Sequence, residues 1–250
     1  MVNDLGFVTP LDVPLVVRIE DLLFNDFDIE QIDTDGDGQP DVDLDEPDRP
    51  RPTFVGIEAL LDPVELAQGN RVSVGSFEVV TFRGQDFLIA RFDAGFSGSV
   101  VIEYSIEDEA GLQDVGFADA TVADFYGLSL SGSPFVDVIE GTALSETILG
   151  YRRDDWVIAL DGDDTIKTAE GADRIEAGAG DDFIDAGDDA DEIFGGLGFD
   201  TVTFEGSNTG VRADLSTLIG QGGFAEGDFY SGIEALVGTG YSDILDGYSD

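Results

Sequence analysis

The sequence contains neither cysteine nor histidine. Without cysteine it can build no disulfide framework and no zinc–thiolate site. Without histidine it can build no Ser-His-Asp triad, no Cys-His dyad and no two-histidine zinc-protease motif. Basic residues are also scarce. Eleven Lys and Arg stand against 55 Asp and Glu, a formal charge of −44 at pH 7 over 250 residues. Phosphate recognition needs clustered Lys and Arg, so nucleic acid is a poor partner and anionic membrane surfaces are excluded by the same reasoning. No run of about 18 apolar residues is present, so nothing is long enough to span a bilayer as a helix. The opening "MVNDLGFVTP" lacks the basic and apolar regions of a signal peptide. Both ends, including the closing "DILDGYSD", read as cut from something longer.

What is present points to a folded chain. Hydrophobic residues make up 42% and aromatic residues 10%, enough to bury a core and too much for wholesale disorder. A charge of −44 repels itself in any compact state, so bound cations are expected to neutralise it.

The charge is arranged with a period of nine. Units start at Gly132, Gly141, Gly150, Ala159, Thr168, Ala177, Ala186 and Gly195. Their sixth positions are Asp137, Glu146, Asp155, Asp164, Asp173, Asp182, Asp191 and Asp200. Their eighth positions are Ile139, Ile148, Val157, Ile166, Ile175, Ile184, Ile193 and Val202. Eight consecutive units thus hold an acid and, two residues on, a β-branched aliphatic. The pattern returns in "GTGYSDILD" (238–246), with Asp243 and Leu245 in the same two places. An aliphatic two residues after the acid sits in a short strand and points to the same side, inward. Calcium suits such turns, because it takes six to eight oxygen ligands and glycine lets backbone carbonyls converge.

These units resemble the RTX calcium-binding nonapeptide repeat, G-G-x-G-x-D-x-U-x. The better copies are "LDGDDTI" (160–166), "GAGDDFI" (178–184) and "GGLGFDTV" (195–202). The resemblance implies a right-handed parallel β-roll over 127–250, in which a turn and a strand make half a coil. Successive repeats then lie on opposite edges: Asp137, Asp155, Asp173 and Asp191 on one, Glu146, Asp164, Asp182 and Asp200 on the other. Several calcium ions are implied, each between neighbours in a column. The implied metal-site residues are Asp155, Asp164, Asp173, Asp182, Asp191, Asp200 and Asp243, with the turn glycines Gly162, Gly171, Gly178, Gly180, Gly187, Gly196 and Gly198. Asp182 is the expected ligand of its doublet. Asp181 is expected to offer a backbone carbonyl and an outward carboxylate, and Phe183 to face out. The first units, at 141 with Glu146 and at 150 with Arg152, Arg153 and Trp156, read as a cap that closes the solenoid rather than as calcium sites, because the arginines bring positive charge where carbonyls should converge. Residues 204–237 break the period and resemble the spacer between RTX blocks. Strands are expected at 211–215 and 233–237 with a Gly-rich loop between. Asp228 reads equally as a ligand or a turn aspartate.

Residues 1–126 differ. Strands are expected at 14–19, 71–74, 77–82, 86–92, 99–107 and 115–122. In the fifth, Val100, Ile102, Tyr104 and Ile106 share one face, with Glu103, Ser105 and Glu107 on a wet one. Short alternating strands with Gly-rich turns argue for an immunoglobulin-like sandwich, making the whole chain all-β. The stretches "VPLVVRIEDLLFNDFD" (13–28) and "DAGFSGSVVIEYSIEDEAGL" (93–112) resemble a bacterial cadherin-like module. Its early turn holds Asn25, Asp26 and Asp28, which read as side chains bonded to their own turn or as calcium ligands. An acidic insertion follows, "DTDGDGQPDVDLDEPDRPRP" (33–52). Asp33, Asp35 and Asp37 match the opening of an EF-hand loop, with Asp41 at its ninth position. Leu44 stands where the twelfth-position Glu belongs, and the segment is closer to helix-free thrombospondin type 3-like loops.

The combined resemblance implies a calcium-dependent structural or adhesive segment of a large secreted bacterial protein, exported by a type I pathway and standing at the cell surface. The alternative is the non-catalytic RTX tail of a secreted protease, lipase or epimerase. Catalysis by paired carboxylates is the weakest reading, because calcium already accounts for the acids.

Overall fold

The structure is a computed structural model, and it describes residues 7–11, 13–21, 53–107, 113–126 and 129–248. The chain divides into two compact units, Met1–Tyr126 and Gly127–Asp250.

The first unit is built of β1 (Phe7–Leu11), β2 (Leu15–Arg18), β3 (Thr53–Leu61), the short helix α1 (Pro63–Ala67), β4 (Gly75–Phe82), β5 (Gln85–Phe92), β6 (Gly98–Glu107) and β7 (Gln113–Tyr126). One sheet runs β1-β7-β6-β3 and the other β2-β5-β4. All pairings are antiparallel except β1 with β7, which is parallel. Leu15, Val17, Leu88 and Ala90 of one sheet and Leu60, Ile102, Tyr104 and Ala120 of the other belong to a single buried cluster. The β4–β5 hairpin turns on Arg83 and Gly84, both at positive φ, the twist that matches paired strands. Asp62 starts α1 by accepting the amides of Val64 and Glu65, and Pro63 occupies the first turn, where no donor is missed.

Three details depart from the sequence pattern. Residues 71–74 do not form a strand and contribute only a single bridge, Leu61 to Ser73. β3 was not expected, because register shifts at Phe54/Gly56 and Ile57/Ala59 break its alternation. Glu103, expected on a wet face, is buried at 6% exposure and held by both guanidinium nitrogens of Arg71. The Arg71 side chain covers that side of β6, so its outward acid meets an ion pair rather than water.

The second unit is a parallel β-solenoid. Its strands are β8 (Ser129–Ser131), β9 (Val138–Glu140), β10 (Thr147–Leu149), β11 (Trp156–Ile158), β12 (Thr165–Lys167), β13 (Arg174–Ala179), β14 (Phe183–Asp185), β15 (Glu192–Leu197) and β16 (Thr201–Thr203). They alternate between two sheets, β8-β10-β12-β14-β16 and β9-β11-β13-β15, each paired in parallel with the strand eighteen residues away. The β-branched residue at the eighth position is what makes each three-residue strand, and it faces in. Ile148, Val157, Ile166, Ile175, Ile184, Ile193 and Val202 are fully buried. First-position residues line the same core and stay small, as with Ala159, Thr168, Ala177 and Ala186.

Residues 204–237 extend the solenoid by a detour. Beyond β16 the chain forms β17 (Arg212–Asp214), β18 (Ile219–Gln221), a 3-10 turn at Gly223–Ala225, β19 (Phe229–Ser231) and β20 (Ala235–Val237). β19 pairs with β15 and β20 with β16, both in parallel, so the coil resumes. β17 and β18 form an antiparallel hairpin inserted into one sheet beside β19. β21 (Ile244–Asp246) then pairs in parallel with β17. The expected Gly-rich loop therefore holds two strands, and the coil strand over β15 is β19.

Candidate metal sites in the turns

Each half-coil places its sixth-position acid where the turn enters the strand. Asp155, Asp164, Asp173, Asp182, Asp191 and Asp200 are all buried, at 2% exposure or less. One oxygen of each is held by the preceding layer. The amides of Asp137, Asp155 and Asp173 donate to Oδ1 of Asp155, Asp173 and Asp191 at 2.9, 2.7 and 2.9 Å. On the other edge, the amides of Glu146, Asp164 and Asp182 donate to Oδ1 of Asp164, Asp182 and Asp200 at 2.8, 2.8 and 3.0 Å. Two columns of acids result, one on each edge.

The second oxygen has a different fate. Oδ2 of all six is buried without a hydrogen-bond partner. In the turn that starts at Gly150, Asp155 Oδ2 lies 2.7 Å from where a Cβ would stand on that glycine, so it is aimed into its own turn. A buried acceptor with no donor costs about 1–3 kcal/mol, and more when charged. Burial accordingly pushes these carboxyls up, to about 6 for Asp182, 7 for Asp164 and Asp173, 8 for Asp155 and 9 for Asp191. Asp200 is raised as well, again mainly by burial. An orphaned carboxylate oxygen in a dry turn fits a hard cation. Among the described residues no three acidic side chains come together as a metal-holding group, so backbone oxygens would have to complete such a shell.

The seven turn glycines share one geometry. Gly162, Gly171, Gly178, Gly180, Gly187, Gly196 and Gly198 all have positive φ. Each also lies against a carbonyl of the turn eighteen residues earlier. A Cβ on Gly178 would stand 1.7 Å from the Leu160 oxygen, and one on Gly180 2.0 Å from that of Gly162. Glycine is therefore required by turn-on-turn stacking as well as by φ.

Fifth-position acids form a second ladder that runs the opposite way. Asp163 Oδ1 accepts the Asp181 amide at 2.9 Å, and Asp181 Oδ1 accepts the Phe199 amide at 2.8 Å. Asp154 Oδ1 takes the amide of Ala172. The Asp181 carboxylate is thus not simply outward. It ties its coil to the next, a role that the sequence pattern did not suggest.

The remaining acids stand apart. Asp243 accepts from the amides of Val211 and Thr239 and from the Thr239 hydroxyl, at 3.0, 2.9 and 2.8 Å. Those bonds, that from Val211 foremost, hold its carboxyl below the usual range. Its oxygens are taken, unlike those of the six. Leu245 is 38% exposed rather than buried. Two acids that the period does not reach continue the columns: the amide of Asp191 donates to Asp228 Oδ1 at 3.1 Å, and that of Asp200 to Glu234 Oε2 at 2.9 Å. Their signal is the acid-x-apolar triplet, Asp228-Phe229-Tyr230 and Glu234-Ala235-Leu236, with only Gly223 and Gly232 left of the repeat's glycines. Trp156 lies on the outer face of β11, its indole donating to Glu176 with the Arg174 guanidinium 5.6 Å over its ring. It does not fill a core. Asn25, Asp26, Asp28, Asp33, Asp35, Asp37 and Asp41 lie outside the described residues.

A parallel solenoid with a nine-residue half-coil and an open, buried carboxylate oxygen at each of six turns has the geometry of a repeat array suited to cations. The model of the RTX calcium-binding nonapeptide repeat family, in four copies, matches residues 140–174 and 168–202. Together these cover 63 of the 250 residues, within the coils from β9 to β16. RTX nonapeptide repeats bind calcium, with several ions across the repeats. Such a solenoid is a structural element and not itself catalytic. No curated protein matches the chain. No helix among the described residues is long and apolar enough to cross a membrane.

Proposed function

We propose that the chain is a calcium-folded structural segment of a large secreted protein of the adhesin or surface type, exported by a type I pathway. The observation that carries the reading is the pair of acid columns with six buried, unpartnered carboxylate oxygens. Asp155, Asp164, Asp173, Asp182, Asp191 and Asp200 supply the charged ligands. Carbonyls of the turns shaped by Gly162, Gly171, Gly178, Gly180, Gly187, Gly196 and Gly198 bring the count to the six to eight oxygens that calcium takes. The ion supplies charge neutralisation in the turns, and the chain holds the strands in register around it. In the unfolded chain no such site exists, so binding free energy becomes folding free energy. Before export, with little calcium, the acids repel and the roll stays open. Outside, calcium meets sites of the affinity of extracellular modules, about 10⁻⁴–10⁻³ M.

Support for the adhesin setting comes from the first unit. Its second, fourth and fifth strands share one sheet and its third, sixth and seventh the other, as in an immunoglobulin-type sandwich, although the first strand joins the seventh in parallel instead of lying beside the second. This agrees with the resemblance to a cadherin-like spacer. The acidic loop with Asp33, Asp35, Asp37 and Asp41 is a further calcium loop in this reading. The test is circular dichroism of the whole chain in millimolar calcium and in excess chelator. The solenoid's β signal is expected to appear with calcium. A solenoid that keeps its full β signal in chelator overturns the proposal.

A further inference from the structure

The turns fall into two classes by backbone conformation. In the six that start at 150, 159, 168, 177, 186 and 195, the second and fourth residues both have positive φ. Five of these twelve carry a side chain: Tyr151 (82°), Arg153 (76°), Leu160 (78°), Ala169 (72°) and Asp189 (84°). Such conformations cost about 1–2 kcal/mol each and persist only where their surroundings hold them. These are the same six turns in which Oδ2 of the sixth-position Asp lacks a partner.

The turns that start at 132, 141 and 238 are built otherwise. None of their second or fourth residues has positive φ. The second residue is Ser133, Thr142 or Thr239, and its hydroxyl sits between two partners. It donates to the sixth-position acid: Ser133 Oγ to Asp137 Oδ2 at 2.9 Å, Thr142 Oγ1 to Glu146 Oε1, and Thr239 Oγ1 to Asp243 Oδ1 at 2.8 Å. It accepts the amide of the fourth residue: Phe135 at 3.2 Å, Leu144 at 3.1 Å and Tyr241 at 2.9 Å. The amide of the second residue donates to the same carboxylate, at 2.5, 3.2 and 2.9 Å respectively. Both oxygens of Asp137, Glu146 and Asp243 thus have donors, and no carboxylate oxygen is left open for a cation. Past the last open turn of one column the same device recurs by another route. Tyr230 donates its hydroxyl to Asp228 Oδ2 at 2.9 Å, and the Asp191 amide takes Oδ1.

We infer that calcium fills only the turns between 150 and 200, and that side-chain hydroxyls from Ser133, Thr142, Thr239 and Tyr230 close the flanking turns in its place. The calcium block therefore has built-in ends. Its boundaries are set by a hydroxyl at the second position, or a tyrosine at the eighth, rather than by loss of the acid. The inference rests on the calcium reading above and refines it by saying which acids are not ligands.

The test is a crystal of the whole chain grown with calcium and measured for calcium anomalous scattering, joined to calcorimetric titration of variants in solution. Expected are peaks beside sixth-position acids between Asp155 and Asp200, and none beside Asp137, Glu146, Asp228 or Asp243. Asp243→Asn and Thr239→Val are expected to leave calcium stoichiometry unchanged and affinity within about twofold, whereas Asp173→Asn weakens it tenfold or more. A peak in any hydroxyl-closed turn, or a lost ion in Asp243→Asn, overturns this inference and leaves the calcium reading standing. No calcium anywhere in the solenoid overturns both.

Discussion

Asp182 turns Oδ1 back to the amide of Asp164, and Asp181 turns Oδ1 forward to the amide of Phe199. The two neighbours brace opposite layers, and only Asp182 has an open, buried second oxygen. Their substitutions should therefore separate. Asp182→Asn keeps an acceptor for Asp164 and loses the charge, so calcium affinity is expected to fall on the order of 100-fold by titration. Asp181→Ala removes one exposed brace, worth about 1 kcal/mol of stability, with calcium affinity within a few-fold of the parent. Equal losses of affinity would refute the division. The sixth-position role of Asp182 is legible from the nine-residue spacing, because one period fixes which residue meets the turn. The brace made by Asp181 is not, because it depends on the coil above. Nor is the burial of Glu103, whose cover comes from Arg71, 32 residues away.

Strands and turns in the solenoid are short, so each is stable only through its neighbours in the stack. Ile175 lies fully buried between Val157 and Ile193 in the same sheet. Ile175→Ala is expected to cost about 3 kcal/mol in calcium-loaded protein, read from denaturant unfolding. Gly178→Ala tests the turn itself. Its Cβ would overlap the Leu160 carbonyl at positive φ, so a cost of at least about 2 kcal/mol is expected although the residue touches no side-chain ligand. A neutral Gly178→Ala would refute the stacking argument. All eight strands that follow the sixth-position acids could be placed from the period alone. β18 and β19 could not, because β18 pairs antiparallel with both its neighbours in an otherwise parallel sheet, and β19, which rejoins the coil over β15, follows an acid 37 residues after Asp191, off the nine-residue period. In the first unit β3 escaped for a similar reason, since its bulges erase the alternation by which strands are read.

Across the whole molecule, a formal charge of −44 meets a solenoid that buries carboxylates in two columns. The folded values of the six open carboxyls and of Asp228 lie above the ordinary carboxylate value near 4, so the calcium-free fold binds protons that the unfolded chain has released. Their contribution to its stability is then fully present below about pH 4 and is lost as pH rises through about 6 for Asp182, 7 for Asp164, Asp173 and Asp228, 8 for Asp155 and 9 for Asp191. Calcium takes the place of those protons. Chelator-washed protein is expected to hold more β structure at pH 5 than at pH 8, and calcium binding at pH 7 to release protons, measured as a buffer-dependent enthalpy. Binding without proton release would contradict this. The sequence by itself determined the nine-residue period, the acid at each sixth position and the inward aliphatic at each eighth, because these are a local pattern repeated in register, while the half-coil and the two columns came from the resemblance to the RTX repeat. Only the tertiary structure decided which acids stay open. That choice depends on what reaches each second oxygen: a hydroxyl within the turn, a tyrosine from the next strand, or nothing.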